Sequence, residues 1–164
     1  MPQRVHSFPP IVGPAPRVLV LGSMPSAASL AERRYYAHPR NFFWPLMAAV
    51  LDEALPAAYG QRAAMLRRHH VALWDALASC VRPTSLDSAI RSEAPNDIAA
   101  LLAAQPTITA VCFNGRKAEQ ACPDLPAGLQ RLTLPSSSPV PTPAMRGFDD
   151  RLAAWLALRP LLAA

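Results

Sequence analysis

Arg17-Val-Leu-Val-Leu-Gly22-Ser-Met-Pro-Ser26 is the stretch on which the reading of the fold turns. Up to Gly22 it is a short, unbroken run of valine and leucine, which suits a strand buried on both faces rather than one with a wet side. Gly22 and Pro25 then stop the run, so a turn with chemical potential sits at the strand's end. Three more segments are read as strands: Val71–Asp75, Ile108–Phe113 ended by Asn114-Gly115, and Leu129–Leu134 stopped by Pro135. Between them lie helical patterns. Phe42, Phe43, Leu46, Met47, Val50 and Leu51 recur at helical spacing within Asn41–Leu51, with Pro45 tolerable near the start. Gln61–His69 is a polar helical segment. Asn96-Asp97 caps a helix carrying Ile98, Leu101 and Leu102 that breaks at Pro106. Arg116–Cys122 suits a short helix, and Phe148–Leu158 a terminal amphipathic one. Strands alternating with helices predict an α/β domain whose small, mostly parallel sheet is covered on both faces.

The chain has 164 residues, 51% of them hydrophobic and only 16% charged, against a usual charged share of roughly 25%. It is long enough for a real core and too apolar for disorder, and no internal repeat or linker divides it, so residues 1–164 are read as a single domain. Net charge is +5 and Lys117 is the sole lysine, so the positive charge is almost all arginine. Arginine's planar fork suits phosphates and base edges, which makes nucleic acid a candidate partner. Three cysteines without CxxC spacing support neither a disulfide framework nor a four-cysteine zinc or iron–sulfur site, and fit a reducing cytoplasm. The His69-His70 pair lacks a third ligand nearby and is not read as a metal site. The opening residues are read as carrying no signal peptide, and no run approaches the length of a membrane span.

In open parallel sheets, ligand sites gather beyond the carboxyl ends of the strands. Gly22-Ser-Met-Pro-Ser26, Trp74-Asp75, Asn114-Gly115 and Pro135-Ser-Ser-Ser-Pro139 all fall there, and the loop Arg33-Arg-Tyr-Tyr-Ala-His-Pro-Arg-Asn41 follows the first. One shared crevice is expected. The first turn matches neither GxxxxGK[ST] nor GxGxxG, which disfavours nucleoside triphosphate hydrolysis.

Gly22-Ser-Met-Pro-Ser26, Tyr35-Tyr-Ala-His-Pro-Arg-Asn-Phe-Phe-Trp44, Phe113-Asn-Gly115 and Leu134-Pro-Ser-Ser-Ser-Pro139 resemble the uracil-DNA glycosylase superfamily, above all its hypoxanthine-DNA glycosylase branch, family 6. The resemblance runs from about Phe8 to the end of the chain. It implies a three-layer α/β/α sandwich with a four-stranded, mostly parallel sheet. It also implies hydrolysis of the N-glycosidic bond of a deaminated base, most often hypoxanthine with uracil or xanthine as further substrates, in single- or double-stranded DNA. No metal or cofactor is implied. The expected protein is a cytoplasmic monomer that starts base excision repair.

The residues suit that chemistry. Glycosidic cleavage passes through an oxocarbenium-like state, so a site must hold water near the anomeric carbon and relieve charge on the departing base. By resemblance Asn41 positions the water; by sequence alone it equally suits capping the Phe42–Leu51 helix. Ser23 and Met24 can present backbone N–H groups to the base, or form a plain strand-to-helix turn. Tyr36 stands where related enzymes stack an aromatic on the base, and also suits a core. Asp75 stands at a base-reading position, where it could accept the N1–H of hypoxanthine; the other reading is an N-cap for Ala76–Cys80. Asn114 joins the base-binding set. Ser136, Ser137 and Ser138, between two prolines, suit gripping phosphates as the loop enters the duplex at the extruded nucleotide. Arg40, Arg116 and Arg146 are candidates for phosphate contact, His38 for donating to the substrate or holding its loop, and Thr84–Ser88 for local capping.

The sequence departs from the family pattern at Ser26, where glycine is usual, and at Val140-Pro-Thr, where an Ala- and Asn-containing stretch is. Both touch the base-facing turn and the inserting loop, and put substrate preference and activity level in question. Two other activities suit the same residues: a catalytically silent protein that binds damaged or single-stranded DNA, and a hydrolase of free nucleosides.

Overall fold

The computed structural model describes residues 3–84, 86–122 and 124–163. In chain order its first half contains β1 (Arg4–His6), β2 (Val18–Gly22), α1 (Ala27–Glu32), α2 (Phe43–Val50), α3 (Tyr59–Arg68) and β3 (Val71–Asp75). There follow β4 (Leu77–Val81), β5 (Arg91–Pro95), α4 (Ile98–Ala104), β6 (Ala110–Asn114), α5 (Arg116–Ala121), β7 (Gln130–Leu134), α6 (Phe148–Trp155) and α7 (Leu158–Leu162).

The four strands expected from the apolar runs form one parallel sheet in the order β3-β2-β6-β7. β2 lies inside it and is buried along its whole length, as its unbroken valine–leucine run requires. Alternation sorts the side chains between two cores. Val18, Val20, Val71, Leu73, Ala110 and Cys112 pack with α2, α3, α6 and α7 on one face. Leu19, Leu21, Ala72, Val111 and Phe113 pack with α4 and α5 on the other. Each large side chain removed from water in this way contributes about 1.5–3 kcal/mol, which is why a strand apolar on both faces ends up between two helical layers. The result is the three-layer arrangement implied by the family resemblance.

A second sheet was not expected. β1, β4 and β5 pair antiparallel in the order β1-β4-β5 beside the main sheet. It corrects the reading of Ala76–Cys80 as a segment capped by Asp75. The N–H groups of Ala76 and Leu77 donate to the carbonyls of Gly22 and Ser23, so the chain turns a corner after β3 and continues as strand. α1 follows the first turn directly, as its strand-to-helix reading expects. Ser26 caps it, its hydroxyl accepting from Ser29 N at 3.2 Å, so the serine that replaces the usual glycine has a local structural use. α2, α3, α4 and α5 fall within or beside the segments expected to be helical, whereas the single terminal helix expected over Phe148–Leu158 ends at Trp155 and a separate α7 follows at Leu158–Leu162. Pro45 sits in the first turn of α2, where no helical N–H is needed, and Asp97 caps α4 by accepting from Ala100 N. The Thr84–Ser88 segment contains a local bond from Leu86 N to Thr84 Oγ1; Ser85 lies outside the described residues.

Candidate active site

The carboxyl ends of β2, β3, β6 and β7 open onto a cavity of about 370 Å³, within the range of roughly 300–1,000 Å³ usual for small-molecule sites. Its lining includes Gly22–Ser29, Tyr35, Tyr36, His38, Asn41, Asp75, Leu86, Asn114 and the loop 136–140. Ser23, Met24, Tyr36, Asn41, Asp75, Asn114, Ser136, Ser137 and Ser138 are therefore brought together. Arg40 is exposed beside Asn41, and Arg116 and Arg146 are exposed elsewhere.

Gly22 is the close-approach point of the floor. A Cβ there would lie 2.6 Å from both Asp75 Oδ1 and Tyr36 Oη, so only glycine lets these two groups converge over the end of β2. Asp75 is 3% exposed, and its carboxyl group forms part of the buried floor of the cavity. Tyr36 is held at φ 54°, a left-handed conformation that costs a non-glycine residue about 1–3 kcal/mol and is retained only where the surroundings impose it. Its ring stacks on Phe43, with centroids 4.0 Å apart and planes inclined by 21°. One ring face is thus spent on the core.

Asn114 ties the floor to the wall. Its Nδ2 donates to Tyr36 Oη at 3.0 Å and to Ser137 Oγ at 2.9 Å, and its Oδ1 accepts from Ser137 N at 2.8 Å. Both ends of the amide are engaged within the protein. Ser137, 1% exposed, also gives its carbonyl to Phe42 N at the mouth of α2. Its hydroxyl faces inward, whereas Ser136 is exposed and Ser138 partly so. Ser136 Oγ accepts from Ser138 N and Ser138 Oγ from Val140 N, which leaves both hydroxyl protons to donate elsewhere.

Asn41 Oδ1 accepts from Phe43 N, the first N–H of α2, at 2.9 Å while lining the cavity; the N-cap position itself is Phe42, so the bond closes a turn just ahead of the helix. One lone pair of Oδ1 and the Nδ2 protons remain for a ligand. His38 holds the preceding turn, with its Nδ1 accepting from Arg40 N and its carbonyl from Asn41 N. Behind the cavity, Tyr35 donates to the carbonyls of Pro9 and Phe8. Burial, and next the charge of Asp75, push its phenol above its ordinary range, so it remains a donor.

Met24 contributes its backbone to the turn and its side chain to the core beside β4, with Leu77, Cys80 and Ile90. Arg82 and Arg151, 8% and 2% exposed, are structural parts of the site that the sequence did not announce. Arg82 donates to the carbonyl of Pro25 in the first turn. Arg151 lies beneath the serine loop. In one sequence a buried arginine has no signature that sets it apart from the surface ones. Among the described residues, no group of three or more His, Cys, Asp or Glu side chains is placed to hold a metal ion, and no helix is long and apolar enough to cross a membrane.

Residues 9–159 match the profile of the uracil DNA glycosylase superfamily. The chain belongs to that superfamily. A protein of Methanosarcina acetivorans named hypoxanthine DNA glycosylase is 37% identical over 135 residues, covering 81% of this chain and 85% of its own. One of the same name from Methanosarcina barkeri is 35% identical over 152 residues, covering 92% and 94%. The solution NMR structure of a Methanosarcina acetivorans protein that carries a uracil DNA glycosylase designation superposes with a TM-score of 0.84 at 33% identity, covering 98% of this chain and all of that one.

Proposed function

We propose that this chain is a monofunctional DNA glycosylase that hydrolyses the N-glycosidic bond of hypoxanthine in DNA, acting as one domain and leaving an abasic site. The observation that carries the reading is that Asn41, Asp75, the Gly22–Ser26 turn and the serine loop line one cavity at the strand ends. The scissile bond cannot be reached inside a base stack, so the nucleotide is extruded into this cavity, at a cost of a few kcal/mol.

Within it the purine lies against the face of the Tyr36 ring opposite Phe43, and its N1–H donates to Asp75. Ser23 and Met24 offer turn backbone to the base's acceptors. Phe43 N–H fixes the plane of the Asn41 amide, whose remaining Oδ1 lone pair accepts a hydrogen bond from the attacking water and aims its oxygen at the anomeric carbon. The carboxylate of Asp75 also favours the positive charge that develops on the sugar. Ser136 and Ser138 donate to phosphates, Arg40 adds charge at the rim, and Ser137 and Asn114 keep the loop in place.

Incubation with duplex and single-stranded oligonucleotides carrying deoxyinosine, uracil or xanthine, followed by alkaline cleavage at abasic sites, tests the reading. Release of hypoxanthine is expected. Binding to all these strands without base release would select the silent DNA-binding protein instead, and turnover of free inosine with indifference to DNA would select a nucleoside hydrolase.

A further inference from the structure

The loop that follows β7 has no strand or helix to accept its backbone, yet almost every carbonyl in it has a donor. Leu134 O accepts from Gly115 N at 2.9 Å, Pro135 O from Trp155 Nε1 at 2.8 Å, and Ser137 O from Phe42 N at 2.9 Å. Arg151 supplies the rest. Its Nε donates to Ser136 O at 2.9 Å, and its Nη2 to Ser138 O at 2.9 Å and Val140 O at 3.1 Å. Its Nη1 donates to Gly147 O at 2.9 Å, and the guanidinium lies 5.0 Å from the centre of the Phe42 ring.

A guanidinium that remains charged when buried needs partners for its fork, and here the partners are carbonyl oxygens on alternate residues of one loop. None of the ion pairs among the described residues involves Arg151. All of its bonding is therefore directed at backbone geometry. Lysine, with one nitrogen, cannot span carbonyls that Arg151 reaches from separate nitrogens.

We propose that Arg151 is the positioning residue of the serine loop. It holds the backbone in the shape that enters the duplex and keeps Ser136 and Ser138 turned outward, and so governs extrusion of a paired base without touching the substrate. The inference rests on the glycosylase reading above. A rigid loop matters when a base pair must be opened and matters little when the damaged base is already unpaired.

Single-turnover excision of hypoxanthine is to be measured for the wild type, Arg151→Lys and Arg151→Ala on one oligonucleotide, paired with cytosine or single-stranded. Taking the ratio of the two rates within one enzyme sample cancels any difference in folded fraction. In both variants the paired-to-single-strand ratio is expected to fall by roughly tenfold or more, and methylguanidinium is expected to restore the Arg151→Ala ratio. Equal loss on both substrates would reduce Arg151 to a stabilising residue and overturn the proposal. Hydrogen exchange of the loop amides, read without DNA, separates the two readings: unchanged protection of residues 136–140 in Arg151→Lys overturns the proposal whatever the wild type does, whereas a wild type inactive on every DNA defeats the glycosylase reading.

Discussion

Gly22 is the residue at which backbone geometry and chemistry are least separable. Gly22→Ala would drive a methyl group into Asp75 and Tyr36, both packed into the floor of the cavity. A stable fold with excision reduced by about tenfold or more is expected, read by single-turnover kinetics beside a thermal melt. Asn41→Ala removes the amide that we propose positions the water and should cost about 10²–10⁴ in rate, with affinity for a non-cleavable lesion analogue kept. The accompanying loss of the bond to Phe43 N costs about 1 kcal/mol of stability. If Asn41→Ala retained the wild-type rate, the role given to Asn41 would fall. Cysteine chemistry should be quiet. Burial pushes the Cys112 thiol up to about 12 and raises Cys80 and Cys122, so thiolate is scarce at neutral pH. Slow alkylation of the folded protein by iodoacetamide at pH 8, read by mass spectrometry, is the expected outcome.

Between elements, the site is held by a few bonds that cross long stretches of chain. Asn114, at the end of β6, joins Tyr36 from the loop before α2 to Ser137 from the loop after β7. Asn114→Leu breaks both links and leaves Ser137 without its buried partner, so excision should fall with a loss of about 1–3 kcal/mol in unfolding free energy by denaturant titration. A second junction lies away from the cavity. Glu53, past α2, bonds His69 and Arg68 at the end of α3, and first His69, then Arg68, hold its carboxyl below the ordinary 4.5. A depressed carboxylate stabilises the fold at pH above that ordinary value and loses its contribution as pH falls through the folded value. The melting-temperature deficit of Glu53→Gln should therefore be present at neutral pH and shrink in acid; a deficit independent of pH would show that charge plays no part. Glu53 is exposed enough for solvent to keep the effect small.

Over the molecule as a whole, a net charge of +5 predicts DNA binding that weakens linearly in logarithmic coordinates as salt rises. Arg40→Ala should weaken binding to all sequences alike and reduce that slope by about one if it meets a phosphate. Anisotropy titrations across a salt series check both. The main sheet was legible in the sequence because β2, inside it, is apolar at every position as burial on both faces requires, and three further runs stop at turn residues; the edge strand β7 keeps Gln130, Arg131 and Thr133 and is largely exposed. The small sheet was not legible. Arg91–Pro95 is polar and largely exposed, β1 has only three residues, and such strands gain their identity from partners distant in the chain.

By itself the sequence determined the parallel α/β layering, the turns at the strand ends and the motif residues, since these follow from local periodicity and from residue types that few backbones tolerate. Only the tertiary structure decided which of those residues gather around one cavity and which bond each other: Ser137 and Asn114 are joined within the protein, Asp75 marks a strand corner rather than a helix cap, and Arg151 holds a loop from below. A side chain's direction depends on which donors and acceptors the fold brings within about 3 Å, and that is settled by contacts between residues far apart in the chain.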